Sequence, residues 1–112
     1  MRLNIKEAEK RVNYLIDIGI VNPHIGIIKK SIPVTIEGIN KHARTHGISI
    51  EQAQEYVNTS KIMFDQGNRT MYLSSDGSAT IIIKNNRLIS AYSREYFDPA
   101  IFAILEVINN VR

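Results

Sequence analysis

Histidine is the side chain that exchanges protons near neutral pH. Two of the chain's three histidines, His42 and His46, stand four residues apart in the stretch INKHARTHGISIEQAQ. The pattern predicts a helix over IEGINKHARTHG, stopped by Gly47 in the C-terminal capping position. On such a helix both imidazoles lie on one face, about 6 Å apart, and can serve one site. Three uses are open to the pair: a shared metal ion, acid–base chemistry on a substrate, or no chemistry, with His46 merely suiting the negative end of its helix. A metal needs at least a third ligand, and the glutamate that follows the first histidine in zinc proteases is absent. The chain has no cysteine, so disulfides, thiolate metal sites and a cysteine nucleophile are excluded. Neither a metal nor a cofactor is expected. His24, isolated in a Pro-His-Ile-Gly loop, reads as structural.

Charge supplies the second group of candidates. The net charge is +3, but basic residues outnumber acids between Asn22 and Arg94, while the tail from Glu95 onward is net acidic. This asymmetry suits a face that binds a polyanion, and equally an ordinary solvated surface. Lys61, Arg69, Lys84 and Arg87 fall in the basic segment. The acids Asp65 and Asp76 fall at turns, without the pairing that carboxylate catalysis requires.

The elements that must position these residues follow from periodicity. The 112 residues are expected to form one domain, 1–112, mainly helical over 1–58. Ile5, Ala8, Val12, Leu15 and Ile16 follow helical spacing behind Asn4 as N-cap. VNPHIGIIKKSIPVT, broken by prolines and a glycine, reads as a loop or short extended segment. Ser49 with Gln52 forms a capping box that opens another helix, ending near Asn58. After Asn58 the period changes: KIMFDQ, RTMYLS, ATIIIK and RLISAYS are separated by turn residues and predict a four-stranded antiparallel meander. Asp98 as N-cap and Pro99 in the first helical position open a C-terminal helix. The fold class expected is α+β, three helices followed by four strands and one helix. No apolar run approaches a bilayer span, and the charged, periodic N-terminus is unlike a secretory signal peptide, so no export of the chain by itself is expected.

The last hairpin can be assigned a register. A two-residue turn at Asn85-Asn86 pairs Lys84 with Arg87, Ile83 with Leu88, Ile81 with Ser90 and Ala79 with Tyr92. Ser90 and Tyr92 then share the more apolar face with Ile81 and Ile83. Their polar atoms would need partners there.

From His42 onward the chain resembles the C-terminal toxin domains of bacterial polymorphic and contact-dependent-inhibition toxins, in particular the barnase, EndoU and colicin-like ribonuclease superfamily. The resemblance rests on His46-Gly47-Ile48 closing a helix, on MYLSSDGSATII as strand-turn-strand, on LISAYS as a strand with Ser-x-aromatic at its end, and on FDPAIFAIL as a final helix. It implies an endoribonuclease, with tRNA one candidate substrate, that needs no metal: the RNA's own 2′-OH attacks the adjacent phosphorus and leaves a cyclic phosphate. It further implies a bacterial toxin acting in the cytoplasm of a target cell, delivered as part of a larger secreted effector, and a cognate immunity protein as partner. His46 matches the helix histidine of the pattern, and His42 is its neighbour by spacing. Ser90 and Tyr92 match the strand motif, and Lys61, Arg69, Lys84 and Arg87 would steady charge on the phosphate.

Each assignment has a plain alternative. Tyr92 can be cross-strand packing, Ser90 a satisfied polar residue near a sheet edge, and Arg69 a solvated turn residue. For the whole chain the alternative is a phage or mobile-element accessory module that binds a partner through a basic sheet face without catalysis.

Overall fold

The computed structural model describes residues 4–22 and 25–108; His24 lies outside them. Helix α1 spans Ile5–Asp17, and strands β1 (Ile27–Lys30) and β2 (Gly38–Arg44) follow. Helix α2 (Ile50–Thr59) leads into β3 (Ile62–Asp65), β4 (Thr70–Leu73), β5 (Ala79–Lys84) and β6 (Arg87–Ser93). A 3-10 turn at Arg94–Tyr96 connects to helix α3, Pro99–Ile108. No helix among the described residues is long and apolar enough to cross a membrane.

The caps expected from sequence are in place. The Asn4 and Ser49 side chains accept from Glu7 and Gln52 N–H, and each of those side chains accepts in return from the cap backbone. Asp98 Oδ1 accepts from Ile101 N–H at 2.9 Å at the start of α3.

The class is α+β, but the sheet is larger than a meander. Its six strands lie in the order β1-β3-β4-β5-β6-β2. The antiparallel meander β3 to β6 is its centre. β1 adds to one edge antiparallel to β3, and β2 adds to the other edge parallel to β6. Residues 1–58 thus hold two strands, β1 and β2, beside their helices.

The helix expected over residues 36–47 is not formed: Gly38–Arg44 is strand β2. Four hydrogen bonds hold it and the residues leading into it at the sheet edge. The Gln54 side-chain amide accepts from Ile36 N–H at 2.7 Å and donates to the Val34 carbonyl at 2.9 Å. Glu37 N–H donates to the Asn86 carbonyl at 2.7 Å. The Arg87 guanidinium donates to the Ile39 carbonyl at 2.9 Å. A Cβ at Gly38 would come within 3.0 Å of that guanidinium, so the small residue gives the arginine room to cross.

Helices cover both faces of the sheet. Ala8 and Val12 of α1 and Ile104 and Leu105 of α3 pack against Ile62, Phe64, Met71 and Leu73. Ala53 and Val57 of α2 pack against Met63, Tyr72, Ile81, Ile83, Leu88 and Ala91. Along β3 and β4 the two sets alternate, as side chains in a regular strand must. Double coverage is why the central strands are buried almost without interruption and read as continuous apolar runs. Each large side chain buried this way contributes about 1.5–3 kcal/mol.

The β5–β6 hairpin departs from its expected register in one place. Asn85 and Asn86 both adopt positive φ, 52° and 61°, as a tight hairpin turn requires. Lys84 pairs with Arg87 and Ile83 with Leu88, as expected, but Ile82 then pairs with Ser90, Ile81 with Ala91 and Thr80 with Tyr92. Ile89 is thus an extra residue, a β-bulge that shifts the rest of β6 by one. Because side chains alternate, that shift moves Ser90 and Tyr92 off the α2 face and onto the side of Thr80 and Ile82.

Candidate functional site

β2 and β6 run parallel, so their C-terminal ends emerge at the same margin of the sheet. Tyr92 stands near the end of β6, and His46 follows the end of β2. The chain turns there: Ile48 N–H donates to the Thr45 carbonyl at 2.9 Å, and His46 and Gly47 both take positive φ, 47° and 80°. A left-handed backbone is uncommon for a residue with a side chain and costs about 1–2 kcal/mol. His42 and His46 are therefore not partners on a helix face. His42 is an exposed residue of β2 whose backbone N–H donates to Asn40 Oδ1 at 3.0 Å, and its ring takes no part in the cluster around His46.

That cluster contains two tyrosines. The His46 ring lies 4.9 Å from the Tyr92 ring, at 35° between planes. It stacks on Tyr96 at 4.2 Å and 29°. Tyr96 ends the 3-10 turn after β6, which is held down by Arg94: its N–H donates to the Ser78 carbonyl at 2.9 Å, and its guanidinium lies 5.3 Å from the centre of the Phe102 ring. The neighbouring β4–β5 turn is organised by Asp76, whose Oδ1 accepts from Ser74 Oγ, Ser78 Oγ and Ser78 N–H. The Ser78 hydroxyl and N–H, with a smaller share from Ser74, hold the Asp76 carboxyl below the usual range.

The tyrosines also form one wall of a cleft of about 280 Å³ between the sheet and the start of α3. Met71 and Ile82 line it from the sheet, and Phe97 and Ile101 from the helix side. Thr80 lines it as well, and its hydroxyl is buried without a hydrogen-bond partner. A buried polar group is nearly always paired, so this one marks an unusual position.

The other residues singled out from sequence are dispersed. Ser90 shares the Tyr92 side of β6 and stands opposite Arg44 of β2, but it does not line the cleft. Lys61 precedes β3, three strands from β6, about 14 Å at the usual spacing. Arg69, Lys84 and Arg87 lie at the opposite end of the sheet, by the β3–β4 and β5–β6 turns. Arg87 is a tether for β2 there. The four cations therefore do not surround His46.

Sequence reasoning passed over Tyr96, Arg44 and Thr80. Tyr96 had a signal, since SREYFD places a second tyrosine four residues after the first. Arg44 is exposed two residues before His46 and is the nearest basic residue to it along the chain. Thr80 had none, because an orphaned hydroxyl exists only once the chain is packed.

Exposed basic residues also line the sheet edges, Lys29 and Lys30 on β1 and Lys41 and Arg44 on β2, where charge discourages another strand from adding. Lys29 pairs with Asp65 at 2.9 Å, and this bond, with the Gly67 N–H, holds the Asp65 carboxyl below the usual range. Among the described residues, no group of three or more His, Cys, Asp or Glu side chains is placed to hold a metal ion. No protein-family model, curated protein or solved structure matches the chain.

Proposed function

We propose that the chain is a toxin-type endoribonuclease that cleaves RNA by attack of the 2′-OH on the adjacent phosphorus. The observation that carries this reading is the ring cluster: an exposed imidazole at the end of β2 held against Tyr92 of the Ser-x-aromatic strand, residues that the resemblance assigns to one site. In the reaction, a base takes the 2′-OH proton, O2′ bonds to phosphorus, and the bond from phosphorus to the 5′ oxygen breaks. An acid protonates that oxygen, and a 2′,3′-cyclic phosphate remains. In this reading His46 serves as one proton-transfer group, and the Tyr92 hydroxyl, which can give or accept a hydrogen bond, serves as the other. Tyr96 offers a π-face on which an unpaired base can stack. Arg44, exposed two residues before His46, is the cation this reading assigns to the phosphate in place of Arg69, Lys84 or Arg87.

The biological setting follows the same reading: a domain of a secreted bacterial effector, active on RNA, tRNA included, in the target-cell cytoplasm and neutralised by an immunity protein. The alternative of a binding module with a basic sheet face gains nothing from the fold, since both sheet faces carry helices. The experiment is incubation of the purified chain with total RNA, followed by end analysis. Discrete fragments whose 3′ ends refuse ligation until a cyclic phosphate is removed are expected. Intact RNA, or fragments with free 3′-hydroxyls, would overturn the reading.

A further inference from the structure

We infer that the cleft beside His46 is a nucleobase pocket that receives the base next to the cleaved phosphate and gives the enzyme a base preference. The inference deepens the ribonuclease reading and rests on it for the word substrate, but the pocket itself stands on separate observations. The first is size. At about 280 Å³ the cleft falls just short of the 300–1,000 Å³ of sites for drug-sized ligands. One heteroaromatic ring system fits; a dinucleotide does not.

The second observation is the chemistry of the lining. Met71, Ile82 and Ile101 present apolar surface, Tyr92, Tyr96 and Phe97 present rings, and Asp98, whose Oδ1 accepts from Ile101 N–H, adds a carboxylate that further disfavours an anion. A flat, weakly hydrated base suits such walls, whereas a phosphate or a free sugar does not, because nothing apolar replaces the water it would lose.

The third observation is Thr80. Only 3% of its surface is exposed and its hydroxyl has no partner, in a strand whose other side chains are apolar or reach solvent. A hydroxyl can both donate and accept, so a base edge reaching the floor of the cleft would supply the missing bond after a rotation of the threonine side chain. Valine has the same shape and no unpaired oxygen, and for folding alone it would be the better residue here. The threonine is therefore explained by a ligand and left unexplained by packing.

Location connects pocket to chemistry. Tyr92 and Tyr96 belong at once to the cleft wall and to the rings around His46. A base seated inside leaves its sugar and phosphate at the rim where the imidazole stands.

The test uses the full chain and nucleoside 5′-monophosphates, which lack the phosphodiester that would be cut. Methyl NMR during titration with AMP, GMP, CMP and UMP is expected to show saturable shifts at Thr80, Ile82 and Ile101, with one base binding most tightly. Thr80→Val is expected to melt no lower than the parent and to bind the favoured nucleotide about five- to tenfold more weakly, the scale of one hydrogen bond. Ribose 5-phosphate producing the same shifts, or Thr80→Val binding as tightly as the parent, would overturn the pocket. Because binding is read without turnover, mononucleotide binding by a chain that leaves RNA intact would preserve the pocket and remove the ribonuclease. RNA cleavage with no shift in the cleft would do the reverse.

Discussion

The His46 and Tyr92 rings, 4.9 Å apart, are delivered to one place by two parallel strands. Neither residue is near the other in sequence, and the pairing of β2 with β6 is what joins them. The site therefore depends on whatever keeps β2 at the sheet edge.

Arg87 supplies one such tether through the Ile39 carbonyl. Arg87→Ala is expected to lower stability by about 1 kcal/mol, to speed amide exchange in β2, and to reduce cleavage several-fold although the residue is far from His46. Lys84→Ala, at the same turn, should do none of these. Hydrogen exchange on both variants separates a tether from a phosphate contact, which would weaken RNA binding without loosening β2.

Tyr72 gives a stability prediction unconnected with catalysis. Its hydroxyl donates to the Ile32 carbonyl, and burial pushes its phenol above the usual value near 10. The unfolded phenol ionises first, so this contribution is complete below the usual phenol value and is lost as pH rises through the folded one. Tyr72→Phe should cost about 1 kcal/mol at neutral pH and make the alkaline fall in stability shallower, with cleavage unchanged. Denaturant melts at neutral and alkaline pH check both statements.

Asp76 works in the opposite direction. Its carboxyl is held low by Ser78 and Ser74, so its contribution is present above the usual carboxylate value and is lost as pH falls through the depressed one. Asp76→Asn should reduce the melting temperature at pH 7 and narrow its difference from the parent below about pH 4. Parallel thermal melts across the acid range provide the measurement.

Chelation offers a test of the chemistry. With the nucleophile supplied by RNA itself and no ligand set of three among the described residues, cleavage is expected to continue in excess EDTA. Loss of cleavage restored by a divalent ion would contradict the proton-transfer account.

The parts of the fold legible in the sequence were those specified locally. Asn4, Ser49 and Asp98 announce helices because each satisfies N–H groups within its own first turn. Asn85-Asn86 announces a hairpin because its φ values are a property of the turn. β2 was illegible because Ile36, Ile39 and Ala43 have helical spacing, and the residues that make the segment a strand, Gln54 and Arg87, are distant in sequence. The Ile89 bulge was equally hidden, and with it the side of the sheet to which Tyr92 belongs. His46 and Tyr92 could thus be named from sequence, but their juxtaposition required the parallel pair, and the scatter of Lys61, Arg69, Lys84 and Arg87 required the whole sheet.

The central claim is that His46 moves a proton while His42 does not. Asparagine is the appropriate replacement, since it tolerates the left-handed backbone that His46 occupies and suits the exposed position of His42. Single-turnover cleavage of purified RNA, followed between about pH 5 and 9 with circular dichroism to confirm folding, compares the two. The account predicts that His46→Asn lowers the rate by about 100-fold or more and alters the pH profile, and that His42→Asn stays within a few-fold of the parent with the profile unchanged. A folded His46→Asn chain that cleaves at the parental rate would contradict it.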